Sequence, residues 1–129
     1  MQLAMKHRRT ALVMDDDPAL RALLAEVLAD EGYAVVQAAN GREGVVLARE
    51  HHPHVILLDL QLPPTLGMGV LDELRRSEAT RYIPVVVVSG EQPPDRHGDV
   101  PRPDGVVRKP FDVCELLAHV GRVAAPERA

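Results

Sequence analysis

Five polar residues of this chain each follow directly on an apolar run or end a short strand-like segment: Asp15 and Asp16, Asp59, Ser89 and Lys109. Three carboxylates brought together repel one another and stay ionised only if a cation joins them. Hard oxygen donors with room for water suit Mg²⁺ or Mn²⁺. A lysine beside them adds a fixed positive charge and a serine adds a hydroxyl donor. Such a set suits a phosphoryl group, because metal and ammonium neutralise its oxygens, the hydroxyl bonds one of them, and a carboxylate can act as nucleophile. Asp59 is the natural centre, since four apolar residues, Val55 to Leu58, run straight into its carboxylate.

Positioning these residues requires elements that end where the residues stand. An apolar run without polar alternation reads as a strand buried on both faces, as in a parallel sheet covered by helices. Residues Thr10 to Met14, Tyr33 to Ala38, Val55 to Asp59, Val85 to Val88 and Gly105 to Arg108 read as strands. Between them lie helical stripes. Asp17 is expected to cap a helix with Pro18 in its first turn and an apolar stripe of Leu20, Leu23, Leu24, Val27 and Leu28, ended by Gly32. Asn40 with Glu43 starts a second helix running to about His51. After a Pro63 to Gly67 turn, Val70, Leu71 and Leu74 mark a third helix closing near Ser77. Asp112 with Glu115 starts a last helix with the stripe Leu116, Leu117, Val120 and Val123. Alternation of strand and helix implies parallel strands joined by right-handed crossovers. All C-terminal strand ends then share one edge, so Asp15, Asp16, Asp59, Ser89 and Lys109 can meet there.

Composition narrows the function. The 129 residues suit one α/β domain at residues 10–124, flanked by an N-terminal arm at 1–9 and a C-terminal tail at 125–129. With aromatics at 2%, there are few residues for stacking on bases or flat cofactors. A net charge of -4 argues against nucleic-acid binding. A lone cysteine, Cys114, no membrane-length apolar run and no apolar leader point to a cytoplasmic protein without membrane contact. His51, His52 and His54 invite a metal reading, but they fall at the edge opposite the acids and read better as residues closing a helix C-terminus.

Taken together, Asp15-Asp16 after the first strand, Asp59 followed by Leu62-Pro63 and Gly67, Ser89-Gly90, and Lys109-Pro110-Phe111 resemble the receiver domain of bacterial two-component response regulators. The resemblance covers nearly the whole chain. It implies a flavodoxin-like, doubly wound, five-stranded parallel sheet in the order 2-1-3-4-5. It also implies that Asp59 accepts a phosphoryl group from a histidine kinase or histidine phosphotransfer protein. Asp16, Asp59 and the Gln61 carbonyl would bind Mg²⁺, with Asp15 helping directly or through water. Ser89 and Lys109 would hold the phosphoryl oxygens, and Gln61 and Glu91 would tune hydrolysis of the acyl phosphate. Output would pass through contact with another protein, the chain being read as a stand-alone phosphoacceptor rather than an enzyme.

Three features depart from the family pattern. The loop after Asp59 carries Pro64, Thr65 and Leu66 where an acid and an Asp-Gly pair are usual. Val106 stands at the position of the family's switch aromatic and has no ring to swing inward. Between Gly90 and Asp104, Pro93, Pro94, Pro101 and Pro103 preclude a regular fourth helix. Phosphorylation is then expected to order or displace this segment, which unchanged hydrogen exchange there would refute. A receiver-like binding module that works without phosphorylation is the alternative. A haloacid-dehalogenase-like phosphatase using the Asp-x-Asp of Asp15 to Asp17 is another, although it would need a further acidic pair where only Asp112 and Glu115 remain.

Overall fold

The computed structural model describes residues 9–60, 67–90 and 102–124. Its centre is a five-stranded parallel sheet in the order β2-β1-β3-β4-β5. The strands are β1 (Thr10–Met14), β2 (Ala34–Ala38), β3 (Val55–Asp59), β4 (Val85–Ser89) and β5 (Gly105–Arg108). Among the described residues four helices accompany them: α1 (Pro18–Asp30), α2 (Gly41–His51), α3 (Gly67–Arg76) and α4 (Val113–Val123). None of these helices is long and apolar enough to cross a membrane.

Helix boundaries follow the local chemistry. Asp17 caps α1 by accepting the N–H groups of Ala19 and Leu20, which would otherwise lack partners in the first turn. At the other end Gly32 adopts a φ of 97°, open to glycine without a Cβ penalty. That turn lets the Gly32 N–H reach the Ala29 carbonyl and the Tyr33 N–H reach the Leu28 carbonyl, closing α1 in a Schellman motif. Tyr33 is therefore spent on the helix exit, and β2 begins one residue later than the strand pattern suggests. Asn40 accepts from the Glu43 N–H while the Glu43 carboxylate accepts from the Ala39 N–H, a reciprocal cap on α2. Asp112 caps α4 through the Cys114 N–H.

Period-two alternation along the strands splits the core into two layers. Leu12, Met14, Ile56, Leu58 and Val85 face α2 and α3, packing on Val45, Ala48, Val70, Leu71 and Leu74. Ala11, Val13, Val55, Leu57, Val86, Val88 and Val107 face α1 and α4, packing on Leu24, Leu28, Leu116 and Val120. Each fully buried Val or Leu contributes roughly 1.5–3 kcal/mol relative to exposure. Two layers of this size let the central strand carry a buried carboxylate at its end.

Two side chains differ from the expected pattern. Leu23 is 45% exposed. It lies roughly 140° around the helix from Leu28 at 100° per residue, beyond the face that the sheet covers. His54 does not close α2; His52 does so, in a left-handed conformation with φ 46°. His54 is buried instead, its Nδ1 accepting the Thr10 N–H at 3.0 Å while its own N–H reaches the Thr10 carbonyl at 2.7 Å, which ties β3 to β1. The turn from Pro63 into α3 and the proline-rich crossover between β4 and β5 lie largely outside the described residues.

Candidate functional site

Strand register decides which residues share a level. Met14 is level with Leu58, so Asp15 and Asp59, one residue on in each strand, stand side by side beyond the paired core. On the other flank Asp59 pairs with Val88, which puts Ser89 one step further out. Ser89 pairs with Arg108, and Lys109 is the next residue, its N–H bonded to the Ser89 carbonyl at 2.8 Å. The five residues singled out by their types thus come together at one edge of the sheet.

Asp15 is the most constrained of them. It is 1% exposed, and its N–H reaches the Ala38 carbonyl of β2 at 3.1 Å. Its Oδ1 accepts the Asp17 N–H at 2.9 Å, while Oδ2 is buried with no hydrogen-bond partner among the described residues. Burial pushes the Asp15 carboxyl above its ordinary range, and the neighbouring Asp59 and Asp16 charges push the same way. The Asp17 N–H and the Lys109 ammonium oppose that rise without cancelling it.

Asp59 is 4% exposed at the end of β3, and the Lys109 ammonium stands 3.9 Å from its Oδ1. At that separation the pair attracts without a direct hydrogen bond between these two atoms. Ser89 is fully buried, and Asp16 projects into solvent. One ligand oxygen from each of Asp15, Asp16 and Asp59 falls within 4.8 Å of the others. An all-carboxylate donor set, two of its members buried and one with an orphaned oxygen, fits a hard divalent cation. A softer metal would call for histidine or thiolate, and neither is in the cluster.

The family model for the response regulator receiver domain matches residues 11–121. The chain belongs to the response regulator receiver family. It is 31% identical over 114 residues to the polar-differentiation response regulator DivK of Brucella ovis, covering 84% of this chain and 90% of that protein. It is 41% identical over 111 residues to the DNA-binding dual master transcriptional regulator RpaA of Synechocystis, covering 84% of this chain but 46% of that protein. The chain thus spans less than half of RpaA's length. The chemotaxis response regulator CheY4 of Vibrio cholerae has the same fold, with a TM-score of 0.81 and 28% identity over 90% of this chain and 98% of that one.

Receiver domains are signalling domains rather than classical enzymes; they bind Mg²⁺ at an acidic pocket and interact with histidine kinases or phosphotransfer proteins and with downstream effectors. The phosphatase alternative fails on Asp17 and Asp112, whose carboxylates serve as helix caps and not as members of the acidic cluster. Val106, expected at the position of the family's switch aromatic, is half-buried on β5 beside Val87. Gln61 and Glu91 lie outside the described residues.

Two residues near these elements escaped the sequence reading. Arg21 donates Nη1 to the Asp15 carbonyl at 2.8 Å and Nε to Gln37 of β2 at 3.3 Å. Arg75 ties the end of α3 to the Arg81 and Ile83 carbonyls and to Asp104, whose carboxylate also accepts the Val85 N–H. Neither stands in a motif; an arginine on a helix looks the same in sequence whether it is solvated or bridging.

Proposed function

We propose that Asp59 is the phosphoacceptor, taking a phosphoryl group from a histidine kinase or a histidine phosphotransfer protein, and that residues 10–124 form the receiver unit between two short flanks. Asp15, Asp16 and Asp59, with the Gln61 carbonyl, would hold Mg²⁺ or Mn²⁺, which when bound neutralises phosphoryl oxygens. An Asp59 carboxylate oxygen attacks phosphorus; the P–O bond forms as the P–N bond breaks, and the bonding pair leaves with the imidazole. The Lys109 ammonium and the Ser89 hydroxyl hold equatorial oxygens as charge redistributes. In the same reading Gln61 and Glu91 would tune hydrolysis of the acyl phosphate. The phosphorylated form signals by contact with another cytoplasmic protein.

The observation that carries this reading is the buried Asp59 carboxylate held between two further acids and a lysine 3.9 Å away. Intact mass after incubation with acetyl phosphate tests it. A single phosphoryl adduct is expected in Mg²⁺, with none in EDTA and none in Asp59→Asn. If Mg²⁺ binds and no adduct forms, the chain is a receiver-fold binding module that works without phosphorylation.

A further inference from the structure

The acidic centre depends on a loop that begins where β1 ends. Asp15 and Asp16 are the first residues beyond β1, where the chain turns toward α1. The Asp15 carbonyl accepts the Arg21 Nη1 at 2.8 Å, from about one turn into α1. The same guanidinium places Nε on the Gln37 side-chain oxygen of β2 at 3.3 Å, and Gln37 is level with Val13 of β1. Arg21 is half-buried, and its planar fork spans the part-buried Asp15 carbonyl and the exposed Gln37 side chain. Its contact is with the main chain of Asp15, while the carboxylate keeps its orphaned Oδ2 beside Asp16 and Asp59.

We propose that Arg21, braced by Gln37, is a positioning residue for the acidic centre: it fixes the peptide carrying Asp15 and Asp16 and thereby sets affinity for the divalent cation. The inference rests on the reading of Asp15, Asp16 and Asp59 as the cation site. Groups that orient metal ligands without touching the metal typically govern affinity by about 10–100-fold. The sign of the effect separates positioning from simple charge. A guanidinium beside an acidic site repels an incoming cation, so removing it would tighten binding if charge were its whole effect. Loss of a brace weakens binding instead.

The test is calorimetric titration of Mg²⁺ into the full chain, with circular dichroism in EDTA verifying that each variant is folded. Arg21→Met is expected to raise the Kd about 10-fold. Arg21→Lys, which can reach the carbonyl but cannot also fork to Gln37, should fall between it and the unsubstituted protein, and Gln37→Ala should raise the Kd by less than Arg21→Met does. A folded Arg21→Met that binds Mg²⁺ as tightly as the unsubstituted protein, or more tightly, overturns the proposal while leaving the cation site standing. If Arg21→Met does not fold, unchanged affinity in both Arg21→Lys and Gln37→Ala overturns it equally. Absence of Mg²⁺ binding in the unsubstituted protein would remove the cation site itself, and the proposal with it.

Discussion

Replacing Asp15 by asparagine is expected to stabilise the metal-free protein and to reduce sharply its stabilisation by Mg²⁺. Asp15 is 1% exposed and leaves Oδ2 without a hydrogen-bond partner among the described residues. Its ligand oxygen lies within 4.8 Å of those of Asp16 and Asp59, and two unit charges at that distance repel by about 3.5 kcal/mol at an effective dielectric of ~20. Asp16 faces water and Lys109 offsets part of the repulsion, so about 1–2 kcal/mol is a fair expectation for what the neutral amide relieves. Asparagine also keeps the acceptor for the Asp17 N–H. In a chain of this length the gain corresponds to a Tm rise of about 3–8 °C in EDTA. With Mg²⁺ at about 100 times its Kd the unsubstituted protein gains about 2.7 kcal/mol, and Asp15→Asn should gain much less. Melts followed by circular dichroism, with and without Mg²⁺, measure both effects. Lower stability of Asp15→Asn in EDTA would refute the claim that the carboxylate is held against its own preference.

The same group fixes a pH dependence. Burial raises the folded-state pKa of Asp15 above its ordinary value of 3.8, so the native state binds that proton more tightly than the unfolded chain. Its contribution is fully present below the ordinary value and is lost as pH rises through the raised one. In EDTA, the unsubstituted protein should lose stability relative to Asp15→Asn over that acidic window, as urea midpoints measured pH by pH would show. A difference that stays flat with pH would contradict the assignment.

Three further substitutions probe the frame around the site. Asp17→Ala should cost about 1 kcal/mol through loss of the α1 cap while leaving Mg²⁺-dependent phosphorylation of Asp59 in place, as chemical denaturation and intact mass would show. Gly44→Ala would bring a Cβ to 2.8 Å from Met14 Cε and 2.9 Å from Cγ, in contact also with Sδ. Overpacking of about 1–3 kcal/mol, offset by about 1 kcal/mol of helix propensity, leaves it destabilised by about 1 kcal/mol. A double-mutant cycle with Met14→Ala should recover most of that penalty. Arg75→Ala should cost about 1–2 kcal/mol in urea melts, mainly through the bonds to the Arg81 and Ile83 carbonyls. The ion pair with the partly exposed Asp104 adds little, so raised salt should leave most of that cost unchanged.

Much of this protein was determined by local sequence. The apolar runs are long enough for strands and too short for helices. Asp17, Gly32, Asn40 and Asp112 mark helix ends because each supplies a cap or a left-handed turn within a few residues of its partner. Asp15, Asp59, Ser89 and Lys109 were legible as a set because a parallel sheet puts every strand's C-terminal end at one edge, whatever the lateral order of the strands. The tertiary structure alone decided which oxygens face one another and which carboxylate oxygen is orphaned. It decided that Leu23 lies outside the covered face, since periodicity gives the direction of an apolar stripe but not the width that a neighbouring sheet can bury. It also turned His54 from a helix terminus to a partner of Thr10, 44 residues away, and joined Arg75 to Asp104 across 29 residues. Such bonds depend on where two distant backbones come to rest, and no local propensity records that.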